Sequence, residues 1–208
     1  MLNIFARASV SRVTDPVGAA LVRAGLTPNA MTVLGTAGAV AGALVFFPRG
    51  MLLAGTFVVW GFVMLDLLDG AMARATGSTP FGAVLDATCD RLVDGALFAA
   101  IAWWAFAVAD DRGVAAAALL CLVLAQVTSY IKARAEASGF GDAANGGLVE
   151  RAERLIVTLV GTGLQGLGLP WAVAASQWLL VVLSVVTLAQ RIAGVSRAAK
   201  GASGGARS

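Results

Sequence analysis

Six apolar stretches alternate with short polar breaks along the chain, at about 30–47, 52–73, 83–108, 114–135, 152–169 and 171–193. Each approaches the roughly 20 residues that an α-helix needs to cross a bilayer, the first and fifth being short. The clearest breaks are Pro48-Arg49-Gly50, Asp110-Asp111-Arg112-Gly113, the run from Gly139 to Gly147, and Gly168 to Pro170. Glycine, proline and clustered charge are the residues that end helices. The pattern predicts an all-α integral membrane protein, a bundle of six transmembrane helices. No polar linker divides the chain, so residues 1–208 read as one domain. No internal repeat points to an inverted-repeat transporter.

Composition supports the bilayer as solvent. Of 208 residues, 59% are hydrophobic and 13% charged, and mean hydropathy is +0.84. A soluble domain carries about a quarter charged residues. The first 25 residues read as a juxtamembrane segment without a signal-peptide core. Within it Ile4, Phe5, Val10 and Val13 can enter the headgroup zone while Arg7 and Arg12 meet lipid phosphates, as in an amphipathic interfacial segment.

Charge then sets orientation. With six spans, the side that carries both termini holds every Lys and Arg except Arg49 and Arg112. The positive-inside rule places that side in the cytoplasm, in a cell (inner) membrane. Residues 195–208 read as a flexible basic tail near anionic lipid. The chain has no histidine, and Cys89 and Cys121 sit in no metal-binding spacing, so zinc and histidine chemistry are not expected. A nucleic-acid partner is not expected either.

Carboxylates are scarce but concentrated. Asp66, Asp69, Asp86, Asp90 and Asp94 fall at the cytoplasmic end of the second stretch and the start of the third. Asp66 and Asp69 share one helical face, as do Asp86 and Asp90. The intervening Ala75-Thr76-Gly77-Ser78-Thr79-Pro80 is a short turn, so antiparallel packing brings the two pairs together. Such carboxylates, without histidine or thiol, suit two hard divalent ions, Mg²⁺ or Mn²⁺, with phosphate completing the shell. Asp94 lies one turn deeper, where structural pairing is expected. Gly70 and Gly82 leave room for a bulky ligand near the backbone.

Residues 66–90 read DLLDGAMARATGSTPFGAVLDATCD. This resembles the signature of the CDP-alcohol phosphotransferase family: DxxDGxxAR, seven or eight residues, then GxxxDxxxD. Asp66, Asp69, Gly70, Ala73, Arg74, Gly82, Asp86 and Asp90 fill its fixed positions. The resemblance implies two divalent ions held by Asp66, Asp69, Asp86 and Asp90 on the diphosphate of CDP-diacylglycerol. It implies Asp90 as the general base that takes the acceptor's hydroxyl proton, with attack on the lipid-side phosphorus and loss of CMP. It further implies donor contacts from Gly70, Arg74 and Thr79, and from Asn29, Ala30, Met31 and Thr32 in the segment LTPNAMT. By itself that segment reads as a helix start, with Thr27 as cap and Pro28 opening the helix. The family also implies a homodimer.

A second cluster is basic. Ser129, Lys132 and Arg134 close the fourth stretch, Arg151 and Arg154 open the fifth, and Arg191 lies near the end of the sixth. Antiparallel helices put these ends beside the aspartates, where they make a plausible pocket for a phosphate dianion. SYIKARAEASG followed by ERAERL resembles the actinobacterial branch of the family whose acceptor is an inositol phosphate. That resemblance implies Ser129, Lys132, Arg134, Arg151, Arg154 and Arg191 around inositol 1-phosphate (1D-myo-inositol 3-phosphate), with a phosphatidylinositol phosphate as product. Glycerol 3-phosphate is the rival acceptor, since it needs the same charge. A cation transporter is the remote alternative, but it calls for carboxylates on discontinuous helices near mid-membrane.

Overall fold

The computed structural model describes residues 14–205, so the N-terminal amphipathic segment expected at Ile4, Phe5, Arg7, Val10, Arg12 and Val13 lies outside the described residues. A first helix, α1, covers residues 14–23. It is followed by α2 (Pro28–Phe46), α3 (Leu52–Val63), α4 (Leu65–Thr76), α5 (Pro80–Ala107), α6 (Arg112–Ala137), α7 (Arg151–Gly166) and α8 (Ala172–Gly205). No strand occurs among the described residues.

The helix starts follow from local chemistry. Thr27 and Thr79 each precede a proline and accept from the backbone N–H of the third residue of their helix, Ala30 N at 3.2 Å and Gly82 N at 3.0 Å. A hydroxyl cap followed by proline satisfies one orphan donor and presets the backbone of the first turn. Asp111 caps α6 through Val114 N at 2.9 Å. Glu150 and Glu153 form a reciprocal capping box at the start of α7.

The helices close into a ring. Contacts run from α2 to α3, α3 to α7, α7 to α8, α8 to α6, α6 to α5, and α5 back to α2, while α4 packs on α2 and α3. The interior combines small residues, with Ala39, Ala43, Ala100, Ala105, Ala117, Ala118 and Ala125 buried, and a few large ones such as Phe47, Phe98, Leu97 and Ile101. Large apolar side chains such as Phe57, Trp103, Phe106 and Leu167 point outward and are exposed on the protein alone. Without a hydrophobic drive between helices in lipid, close backbone approach and polar bridges hold such a bundle. The Thr56 and Thr162 hydroxyls meet at 2.7 Å between α3 and α7, and Gln126 Nε2 donates to the Arg91 carbonyl at 3.2 Å between α6 and α5.

Four segments are long and apolar enough to cross a membrane: Pro28–Arg49, Leu52–Thr76, Arg112–Ala137 and Ala172–Gly201. The other two expected spans differ for physical reasons. α5 carries Asp86, Asp90, Arg91 and Asp94 between residues 86 and 94, and α7 has 16 residues, about 24 Å at 1.5 Å per residue. The second stretch is not one straight helix. It turns at Met64, whose carbonyl accepts from Leu67 N at 3.2 Å, two residues before Asp66. α8 stays helical through Gly205, so the described part of the expected flexible tail is continuous helix. Alanine, arginine and lysine there are strong helix formers, and Arg197 Nε donates to the Ala193 carbonyl.

Gly161 sits where α7 crosses α8. A Cβ there would collide with the Ser176 hydroxyl and come within 3.2 Å of the Ala172 carbonyl. Gly161→Leu is therefore expected to destabilise the bundle by roughly 1–3 kcal/mol. Thermal unfolding of the detergent-solubilised protein checks this, and an unchanged midpoint would mean the two helices are not held at this distance.

Candidate functional site

Three cavities meet around the aspartates. The first, of about 380 Å³, lies between the start of α2, α4 and the start of α5. Asn29, Thr32, Asp69, Gly70, Thr79 and Asp86 are among its walls. The Thr32 hydroxyl donates to Asp69 Oδ2 at 2.5 Å, which fixes that carboxylate. The N-termini of α2 and α5 both open here, and unpaired N–H groups and helix dipoles favour anions at such ends. Gly82 is the close approach between them: a Cβ would lie 3.0 Å from Thr79 Oγ1 and 3.2 Å from Asn29 Oδ1.

Carboxylate oxygens of Asp66, Asp69 and Asp86 lie within 4.8 Å of one another. This oxygen-only set fits a hard divalent cation. Asp90 is outside that trio. Its Oδ1 is 2.8 Å from Arg151 Nη1, the same nitrogen that donates to Asp66 Oδ2 at 2.7 Å. The Asp90 contact counts as an ion pair by distance, yet no donor is directed at Asp90 Oδ1. We read it as a charge contact rather than a hydrogen bond, because direction is what separates the two.

The second cavity, of about 340 Å³, is polar and basic. Ser129, Lys132, Arg91, Arg151, Arg154 and Arg191 line it, together with Asp86 and Asp90. Asp86 thus belongs to both cavities. Arg191 is held by two backbone carbonyls, Gly146 through Nε at 3.0 Å and Thr128 through Nη1 at 2.7 Å. Arg154 donates to Asp94 Oδ2 at 3.1 Å, deep in the bundle. The Nε atoms of Arg91, Arg151 and Arg154 are buried without a protein acceptor.

The third cavity, of about 670 Å³, is apolar and runs between α3–α4 and α7. Phe57, Trp60, Leu67, Leu155, Ile156 and Leu159 contribute to it, and Asp66 and Arg151 stand in its wall.

Four of the expected residues fall outside these cavities. Ala30 is exposed and Met31 is buried in the helix interface; neither lines the donor-side cavity. Successive helical residues point about 100° apart, so the side chains of Ala30 and Met31 leave the direction shared by Asn29 and Thr32. Arg74 pairs with Asp15 of α1 at 2.7 Å instead of facing the aspartates. Arg134 is exposed and does not line the basic cavity. Conversely, Arg91, Glu136 and Glu150 line it without having been expected there. Arg91 had a signal in the sequence, since it lies between Asp90 and Asp94. The two glutamates had none beyond their helix ends.

A helical membrane bundle that gathers carboxylates against a basic, phosphate-sized cavity defines a membrane-bound phosphotransferase site. The family profile for CDP-alcohol phosphatidyltransferase matches residues 25–190, and the chain belongs to that family. It is 54% identical over 199 residues to the phosphatidylinositol phosphate synthase of Mycolicibacterium smegmatis, covering 92% of this chain and 88% of that protein. The crystal structure of Mycobacterium tuberculosis phosphatidylinositol phosphate synthase with CDP-DAG bound superposes with a TM-score of 0.83 at 53% identity, covering 88% of this chain and 94% of the other. The same enzyme in complex with manganese and citrate also gives 0.83, at 52% identity, covering 88% of each chain.

Asp94 is buried and is the charge partner of Arg154 and, at 3.7 Å, of Arg91. Asp94→Ala leaves buried guanidinium charge uncompensated and is expected to cost about 3 kcal/mol. A fall in the unfolding midpoint in detergent checks this, and a midpoint equal to wild type would assign Arg154 another counter-charge.

Proposed function

We propose that this chain transfers the phosphatidyl group of CDP-diacylglycerol to inositol 1-phosphate, giving phosphatidylinositol phosphate and CMP. The observation that carries the reading is the meeting of three unlike cavities at one carboxylate cluster. The helix-start cavity suits a nucleotide diphosphate, the basic cavity an acceptor phosphate, and the apolar groove lipid chains. The phosphatidylinositol phosphate synthases it resembles along most of its length supply the acceptor.

In this reading α2, α3–α4, α5, α6, α7 and α8 make six crossings of the cell membrane in a single domain. Both termini and the site face the cytoplasm, in line with the distribution of Lys and Arg. Residues 1–25 form the juxtamembrane segment, and the protein works as a homodimer.

Asp66, Asp69, Asp86 and Asp90 hold two divalent ions, Mg²⁺ or Mn²⁺. The ions supply charge stabilisation for the diphosphate as CMP departs. The protein's own groups do the rest. Asn29, Thr32, Gly70 and Thr79 seat the nucleotide side, and Arg74 has to leave Asp15 to join them. Lys132, Arg151, Arg154 and Arg191 hold the acceptor phosphate, with Ser129 beside it. That anchoring presents the acceptor hydroxyl to Asp90. Its carboxylate takes the hydroxyl proton as the oxygen bonds to the lipid-side phosphorus. The bond from that phosphorus to the CMP oxygen breaks, and CMP leaves with the electron pair.

Two experiments test this reading. Asp90→Asn should retain CDP-diacylglycerol binding within a few fold and lose CMP release by at least about a hundredfold, the scale of general-base catalysis; turnover near wild type would remove Asp90 as the base. Lys132→Ala should raise the acceptor KM about tenfold or more, with little change in the donor KM, because it removes a charged contact to the acceptor phosphate. A change confined to the donor KM would mean that the basic cavity serves the nucleotide.

A further inference from the structure

Arg151 opens α7 and stands at the junction of the basic cavity and the apolar groove. Its Nη1 is 2.7 Å from Asp66 Oδ2 and 2.8 Å from Asp90 Oδ1, and its Nε is 3.8 Å from Asp94 Oδ1. One guanidinium nitrogen therefore lies between the first and last carboxylates of the motif. A divalent cation shared by the same two oxygens would sit about 2.1 Å from each. An ion that drew these two oxygens together as ligands would lie between them, where the Arg151 nitrogen now lies, and two cations cannot occupy that space together.

The side chain has two places to go when a divalent ion takes that position. The groove is apolar, and a bare guanidinium there would be costly. The basic cavity is polar, but it already holds Lys132, Arg91, Arg154 and Arg191. Arg151 already lines that cavity, but turning its charge away from Asp66 and Asp90 toward those cations is unfavourable until an anion is present. The Asp90 contact is also the easier one to surrender, since no directed N–H secures it.

We propose that Arg151 and the second divalent cation compete for Asp66 and Asp90, so that cation binding drives Arg151 onto the acceptor phosphate and the two ligands bind with positive coupling. The inference rests on the two-cation reading above and adds an exchange that couples metal loading to acceptor capture. By linkage the effect is reciprocal: phosphate in the basic cavity tightens the second cation. The exchange favours loading of the second ion when the acceptor is in place.

The test is a Mn²⁺ titration of the full-length protein in detergent, followed by electron paramagnetic resonance, with and without inorganic phosphate. Wild type should bind two classes of Mn²⁺, with phosphate tightening the weaker class about tenfold, within the usual range of coupling between sites. Arg151→Gln should tighten the weaker class by about as much without phosphate, and phosphate should then no longer shift it. Loosened or unchanged Mn²⁺ affinity in the variant, or coupling that persists, would overturn the proposal. Should the variant fail to fold, wild type alone decides: a second class indifferent to phosphate refutes the exchange. Asp69→Asn separates this from the underlying reading: tight Mn²⁺ binding that survives it would place the ions elsewhere and overturn that reading, whereas tight binding lost in Asp69→Asn beside a wild-type second class indifferent to phosphate would overturn the exchange alone.

Discussion

Charge buried in a helical bundle must be compensated within a few ångströms, because the surroundings supply no water to do it. That constraint organises the end of the bundle that carries the aspartates. Asp94 is almost wholly buried and is answered by Arg154 at 3.1 Å and by Arg91 at 3.7 Å. Arg151 answers Asp66 and Asp90 in turn. The network ties α5 to α7, two helices that do not neighbour each other around the ring. Its residues are fixed by what they neutralise, and the cavity walls follow from that.

The same network explains how opposite charges are kept apart enough to bind different ligands. The Asp66, Asp69 and Asp86 carboxylates gather on one side, assisted by the Thr32 hydroxyl. The buried guanidinium Nε atoms of Arg91, Arg151 and Arg154 lie on the other without a protein acceptor. Asp86 lines both cavities, and Asp90 stands beside it on the basic side. Such an arrangement suits a reaction that joins two phosphate-bearing molecules, with electrophile and nucleophile held by separate groups. The family membership and the three cavities agree on that chemistry.

Much of this was legible in the sequence because it depends on periodicity and on rare residues in an apolar chain. Asp66, Asp69, Asp86 and Asp90 stand out by their spacing, and the Thr-Pro pairs at 27–28 and 79–80 mark two helix starts. What escaped detection depends on side-chain direction and on partners far along the chain. Ala30 and Met31 share a segment with Asn29 and Thr32, but the helical turn points them elsewhere. Arg74 sits in the motif, yet Asp15, 59 residues earlier, holds it. The turn at Met64 has no proline at its position to announce it. α5 combines four charged residues between 86 and 94 with a long apolar continuation, a mixture that hydropathy alone does not assign to a span.

The central claim is that the aspartate site and the basic cavity act together on a lipid nucleotide and a phosphorylated acceptor. The most direct test is CMP release by the purified protein from CDP-diacylglycerol with Mg²⁺, offered inositol 1-phosphate, free inositol or glycerol 3-phosphate in parallel. The account predicts release that depends on inositol 1-phosphate and is far weaker with the other two. Preference for free inositol or glycerol 3-phosphate would contradict the acceptor assignment, and no release with any of them would contradict the reaction itself.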